Sequence, residues 1–215
     1  MSIESSDRFL ITYQGDPGFL INPTHNMDQE TEKILRDLPA TYRTFLQRLP
    51  AVSFKGGALR VLTPATKPSI ASWNSEQGWH ADWPEWRNRF VVFAFDWLGN
   101  QIAFDRNEAM NISEFEPGTG NINSVPVDFS GFLDLLVDSG EEILLEASFT
   151  KWRTLTGRTL EFNQCVGHKI PLFLGGSDSF DNMEVSDLSV HVSIMGQVYR
   201  AAASKSKISG FKIGR

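Results

Sequence analysis

The stretch FVVFAFDWLGNQIAFD, residues 90–105, contains two apolar runs that each close on an aspartate, Asp96 and Asp105. Two carboxylates held apart in environments that split their pKa values are the machinery of general acid and base catalysis, and here would suit a small hydrolase acting on glycan or peptide. Aspartate is also a standard turn former and strand terminator. The second account asks for less and is preferred: Asp96 marks a turn, Asp105 marks the exit of the far strand, and neither catalyses anything.

Other chemistry-bearing residues form weaker patterns. KIPLFLGGSDSFDN, residues 169–182, reads as a strand entering Gly175-Gly176, with Ser177, Asp178 or Ser179 capping a following helix. It lacks both the Lys-Ser/Thr ending of a phosphate loop and the glycine spacing of a dinucleotide site. His25, His80, His168 and His191 form no recognised metal pattern; Asp187 with His191, and His80 with Asp82, each lack a third ligand. Cys165 is the single cysteine and no G-x-S-x-G occurs, so nucleophilic catalysis has no visible constellation. Neither an enzyme nor a cofactor is expected. Trp73, Trp79, Trp83 and Trp86 crowd into SWNSEQGWHADWPEW, as they would in a sugar platform or a protein hot spot. Packing of a connecting segment over a sheet gives the same pattern and is favoured.

The elements that must position these residues follow from periodicity and punctuation. FLITY (9–13) and GFLI (18–21) read as short strands around Gly15-Asp16-Pro17-Gly18. A helix is expected over about 29–37. A second helix has Pro39 at its first position and buries Tyr42, Phe45, Leu46 and Leu49 at i, i+3, i+4 and i+7. Val52–Phe54, a Lys55-Gly56-Gly57 turn and ALRVL make one β-hairpin, and residues 90–105 make another whose strands are covered on both faces. EPGTGNINSVP (116–126) reads as a loop. Asp128 then caps a helix with Phe129, Phe132, Leu133 and Leu136 on one face and Asp134 and Asp138 turned to solvent; Ser139-Gly140 ends it. Glu141 and Glu142 open a further helix that buries Leu145, Phe149 and Trp152 and stops at Gly157. The fold class is α+β, an antiparallel sheet of hairpins flanked by helices. Residues 1–127 would form an N-terminal lobe carrying the central hairpin, and 128–215 a mainly helical region packed on it as one unit.

With 215 residues, 41% of them hydrophobic, the chain can bury a real core. No apolar run approaches the roughly 20 residues of a membrane helix. The start, MSIESSDRFLITYQGDP, lacks the basic and long apolar regions of a secretion signal, so a cytoplasmic location is expected. The net charge of −6 is unevenly spread: eleven acids and one base, Arg106, lie between Asp96 and Glu146, against fifteen acids and nineteen bases elsewhere. Such a field disfavours nucleic acid and anionic membrane as direct partners and favours a basic protein. A merely solubilising surface explains acidic runs equally well.

LPATYRTFLQRLPAVSFKGGALRVL resembles the opening of the SUKH superfamily, and FVVFAFDWLGNQIAFD resembles its central hairpin. LLEASFTKWRTLTGRTLEFNQCVGHKIPLFLGGSDSFDNMEVSDLSVHVSIMGQV resembles the C-terminal domain of the type VI secretion immunity (Tdi-type) family, with Pro171, Leu174-Gly175-Gly176 and Gly196-Gln197. Residues 188–199 fit a strand by alternation and a helix by Leu188, Val192, Met195 and Tyr199; the resemblance decides for the helix. It also implies binding: an immunity protein that occludes a cognate toxin, often a nuclease. A regulatory interaction module of the same fold is the other binding option. Combined with the acidic field, this makes Trp83, Trp86, Asp105, Glu108, Glu114, Glu116, Asp134 and Asp138 the expected toxin contacts.

Overall fold

Short turns between strand-forming runs let consecutive strands pair with their nearest neighbours in the chain, and the middle of the sequence folds in this way. The computed structural model describes residues 4–21 and 28–209. Before the sheet come α1 (Ser5–Thr12), α2 (Gln29–Arg36) and α3 (Ala40–Arg48). The sheet then runs β1 (Ser53–Phe54), β2 (Leu59–Val61), β3 (Phe90–Asp96), β4 (Gln101–Asp105), β5 (Asn111–Glu116) and β6 (Asn121–Val125), with the short helix α4 (Ile70–Trp73) between β2 and β3. All neighbours are antiparallel and the spatial order is the chain order. Beyond it lie α5 (Phe129–Ile143), α6 (Glu146–Thr156), a second two-stranded sheet of β7 (Gln164–His168) and β8 (Met183–Asp187), and α7 (Leu188–Ser209). The class is α+β, as the sequence indicates.

Both faces of the large sheet are covered, which is why β3 and β4 are buried at every position. On one face Phe93 and Phe104 meet Tyr42 of α3 and Phe129 of α5, with ring centroids 4.5–5.9 Å apart. On the other, Trp83 packs edge-on against Phe115 at 4.6 Å and donates its indole N–H to the Val192 carbonyl of α7 at 3.0 Å. Trp73 donates to Gln101 Oε1 at 2.8 Å. The tryptophan segment is therefore packing over the sheet, the favoured reading.

Several elements differ from the sequence reading. FLITY lies in and just beyond α1, not in a strand, because Phe9 and Tyr13, four residues apart, stack at 4.6 Å as one helical stripe against Phe45 and Phe54. GFLI contributes a 3-10 turn, Pro17–Phe19, and a single bridge from Leu20 to Ala51. Pro39 is the N-cap residue of α3, one position earlier than expected. The expected loop 116–126 contains the end of β5 and all of β6, an edge strand whose Asn and Ser residues hide its pairing. Ser139, with a non-helical φ of −142°, does end the first helical run of α5 as expected, and a short second run follows the kink to Ile143. Glu141 and Glu142 lie in that short second run, and the helix that buries Phe149 and Trp152 starts later, at Glu146. Leu145, expected in the core, is 47% exposed and left-handed at φ 49°. KIPLFL is not a strand: Leu172–Leu174 is a 3-10 turn ended by Gly175 at φ 88°, and a second turn, Phe180–Asn182, leads into β8 in place of the expected helix. The helix at 188–199 is α7.

A buried arginine joins the large sheet to the region beyond it. Arg60 of β2 has no exposed surface; its Nη1 donates to the carbonyls of Glu161 at 3.0 Å and of Gln164, and its Nη2 contacts the Asp96 carbonyl at 3.4 Å. Burial lowers its pKa to about 10, partly opposed by nearby acidic groups.

Candidate functional site

The two aspartates of the central hairpin lie at opposite ends of it. Asp105 pairs in register with Phe90, while Asp96 sits beside the turn, so five residues of strand, about 17 Å at ~3.4 Å each, separate them. Each carboxylate is taken up locally. Asp96 accepts from the backbone N–H groups of Leu98 (2.8 Å) and Asn100 (2.9 Å) and from Asn100 Nδ2 (3.0 Å). Burial pushes its pKa up to about 8, with Glu114 adding to the rise. Asp105 accepts from Arg89 Nε and Nη2 at 2.9 and 2.7 Å, from Asn107 N at 3.0 Å and from Ser113 Oγ at 3.3 Å. They are turn and strand-end residues by geometry, and they do not face one another across a pocket.

The expected toxin contacts scatter. Trp83 and Asp105 are fully buried and reach no partner without unfolding their surroundings, a correction to their selection as contacts. Asp134 and Asp138, expected to be free in solvent, are bridged by Arg8 of α1 at 2.5 and 2.8 Å. The packing of α1 on α5 brings that arginine in. Asp128 caps α5 by accepting from Gly131 N, and Glu146 pairs with Lys55 at 3.5 Å. Among the described residues, three bases from outside the acidic stretch, Arg8, Lys55 and Arg89, thus engage four of its eleven acids. Trp86 is half-buried and Glu108 is exposed. Glu114 and Glu116 lie side by side on β5, both accepting from the Asn123 amide of β6. Burial raises the Glu114 pKa, and the charge of Glu116 adds to it.

Glu116 also lines a cleft of about 560 Å³ that no sequence pattern announced. Its walls are the β3–β4 turn (Leu98, Asn100), the β5–β6 turn (Thr119), the start of α6 (Leu145, Ser148, Lys151) and the segment from β7 to α7 (His168, Asp178, Phe180, His191). That volume falls in the small-molecule range. Gly167 makes room for His191, since a Cβ there would overlap the imidazole. His191 is 5% exposed, and burial lowers its pKa to about 4 with the charge of His168 adding. His168 Nε2 lies 3.4 Å from Asp178 Oδ1, and Lys151 Nζ stands 5.6 Å from the Phe180 ring.

The loop beside the cleft is fixed from within. Asn182 donates to the carbonyls of Ile170 and Ser177, each at 2.9 Å, and accepts from Ile170 N at 3.0 Å. Gly176 passes so close to the Ile170 carbonyl that a Cβ would overlap it. So braced, the loop presents Ile170 and Leu174 at 55% and 52% exposure. The remaining weak ligand patterns dissolve: Asp187 caps α7 through Ser189 N and Val190 N, and Asp82 accepts from Ser193 and Arg200. His80 is buried against Trp79, and His25 lies outside the described residues.

Residues 131–199 match the family described as T6SS immunity protein Tdi1, C-terminal. The fold is similar to the crystal structure of Atu4351 from Agrobacterium tumefaciens, with a TM-score of 0.60 and 18% identity over 89% of this chain and 88% of that one. None of the curated proteins matches this chain. Among the described residues no helix is long and apolar enough to cross a membrane.

Proposed function

We propose that this chain is an immunity protein that binds and neutralises a cognate type VI secretion toxin in the cytoplasm, acting by occlusion without catalysis. The observation that carries the reading is the family match over residues 131–199, which runs through α5, α6, β7, β8 and half of α7 and so includes the braced loop and much of the cleft wall. The SUKH resemblance of the hairpins supports it, as does the arrangement of the loop. An apolar anchor held rigid before binding loses little conformational entropy on docking, which suits a tight inhibitor. In this reading Ile170 and Leu174 are the anchors. Residues 1–127 and 128–215 act as one unit.

The proposed toxin is a basic, nuclease-type effector, now opposed by fewer free carboxylates than the sequence counts. Glu108, Glu114, Glu116, Glu141 and Glu142 supply the field, with Trp86 on the rim; complementary charge raises association rates from about 10⁵–10⁶ toward 10⁸–10⁹ M⁻¹s⁻¹ at low salt. Co-expression with each toxin candidate encoded beside this chain, scored by survival and co-purification, tests the reading. Protection against one candidate, lost with Ile170→Asp and Leu174→Asp in a folded protein, is the expected result. Absence of protection against all of them refutes it.

A further inference from the structure

Within the cleft the polar groups divide unevenly between those already engaged and those left over. The carboxylate of Glu116 accepts from Thr119 Oγ1 at 2.8 Å and from the Asn123 amide, and Asp178 faces His168. Asn100 gives its amide to Asp96, and the Ser179 hydroxyl is shared with Ser177. The Asp178 side chain is 76% exposed and keeps acceptor capacity of its own, but three donors are also left over. Lys151 makes no ion pair among the described residues; its one polar contact is with the face of Phe180. His191, 95% buried, has no hydrogen-bond partner there, although a neutral imidazole keeps one N–H to donate. The third donor is the end of a helix. α6 is eleven residues long, and its N-cap residue, Leu145, brings no side-chain cap, so first-turn N–H groups await an outside acceptor where Leu145 and Ser148 line the cleft. Leu145 is held in the left-handed region, a strained conformation for a branched side chain, at this same helix start.

We propose that the cleft is a binding site for a small oxyanion, a carboxylate or a phosphate, held by Lys151, by the His191 imidazole and by the N-terminus of α6. A helix N-terminus with an ammonium beside it is a standard anion site, and an unpaired buried imidazole is the specific complement that a bare helix end lacks. Glu116 and Asp178 line the same cleft and oppose an anion near them, so the head group has to seat on the donor side. The proposal is independent of toxin binding.

Titration of the whole chain with sodium phosphate, and separately with sodium acetate, against sodium chloride at matched ionic strength, tests it by proton–carbon NMR of the imidazoles. His191 and His168 should shift saturably while His80 stays fixed, with half-saturation near ~1 mM, as a few charge-assisted bonds would give. Lys151→Met, a change at an exposed position, should weaken this about tenfold without altering the spectrum of the rest of the fold. Tighter phosphate than acetate would assign a phosphate ester, and the reverse a carboxylic acid. Shifts that never saturate, or that are the same in Lys151→Met, would overturn the proposal whether or not the chain protects against a toxin.

Discussion

Replacing Arg60 with methionine keeps most of the side chain's bulk and removes every donor that ties β2 to the segment before β7. In the native protein one guanidinium serves the carbonyls of Glu161 and Gln164, contacts that of Asp96, and lies 4.9 Å from the Phe95 ring. Stranding two buried carbonyls costs about 1–3 kcal/mol each, or roughly 2–6 kcal/mol. Part of this is returned, because the buried guanidinium is itself under desolvation, visible as a pKa lowered to about 10. At about 1.4 kcal/mol per pKa unit that relief is on the order of 3 kcal/mol at most. With the cost at its midpoint of about 4 kcal/mol and the relief at its limit of about 3 kcal/mol, the net loss is at least about 1 kcal/mol, which for a chain of this size lowers Tm by roughly 2–4 °C or more. Urea unfolding gives the free energy, and amide exchange locates it: protection should fall first around Glu161–His168 and in α7. An Arg60→Met protein within about 0.5 kcal/mol of the parent would show that those carbonyls find other donors, and would remove Arg60 as the strut between the sheet and the C-terminal region.

Gly176→Ala should cost about 2–4 kcal/mol because the new Cβ must displace the Ile170 backbone; a loss of toxin binding with unchanged melting would contradict a structural role. Asp96 binds a proton more tightly folded than unfolded, so its contribution to stability is full below about pH 4 and declines as pH rises toward 8. Asp96→Asn should flatten that slope in a pH series of urea unfolding, and an identical slope in both proteins would assign it elsewhere. Arg8→Ala exposes Asp134 and Asp138 but breaks only solvated pairs, so it should leave thermal unfolding nearly unchanged while deepening the acidic field. A larger loss in thermal unfolding would mean that α1 depends on those pairs for its docking.

Much of the sheet is legible because hairpins are local. The apolar runs around Leu98-Gly99-Asn100 and Lys55-Gly56-Gly57 place β1 to β4 correctly, since turn chemistry and strand burial both act within a few residues. The caps at Asp128 and Gly157 are read off for the same reason. β6 is not legible, because NINSV carries no apolar signal and is a strand only through its pairing with β5. FLITY misleads because five residues cannot separate a period of 2 from one of 3.6; the choice is made by Phe45 and Phe54, which receive Phe9 as part of a helix.

The site divides in the same way. Sequence determined by itself that acids concentrate between Asp96 and Glu146, that two hairpins and a run of helices frame them, and that no familiar catalytic spacing is present. Only the tertiary structure decided which acids remain free, because a charge count contains no distances: Arg8 reaches Asp134 across 126 positions of sequence and Arg89 closes on Asp105 across the strand pair. The cleft was decided there too, since Lys151, His191 and Glu116 come from three separate elements and become neighbours only when α6, α7 and the β5–β6 turn pack around the Asp96 turn. Local interactions are written in adjacent residues, whereas electrostatic pairing and enclosed space depend on how whole elements are arranged.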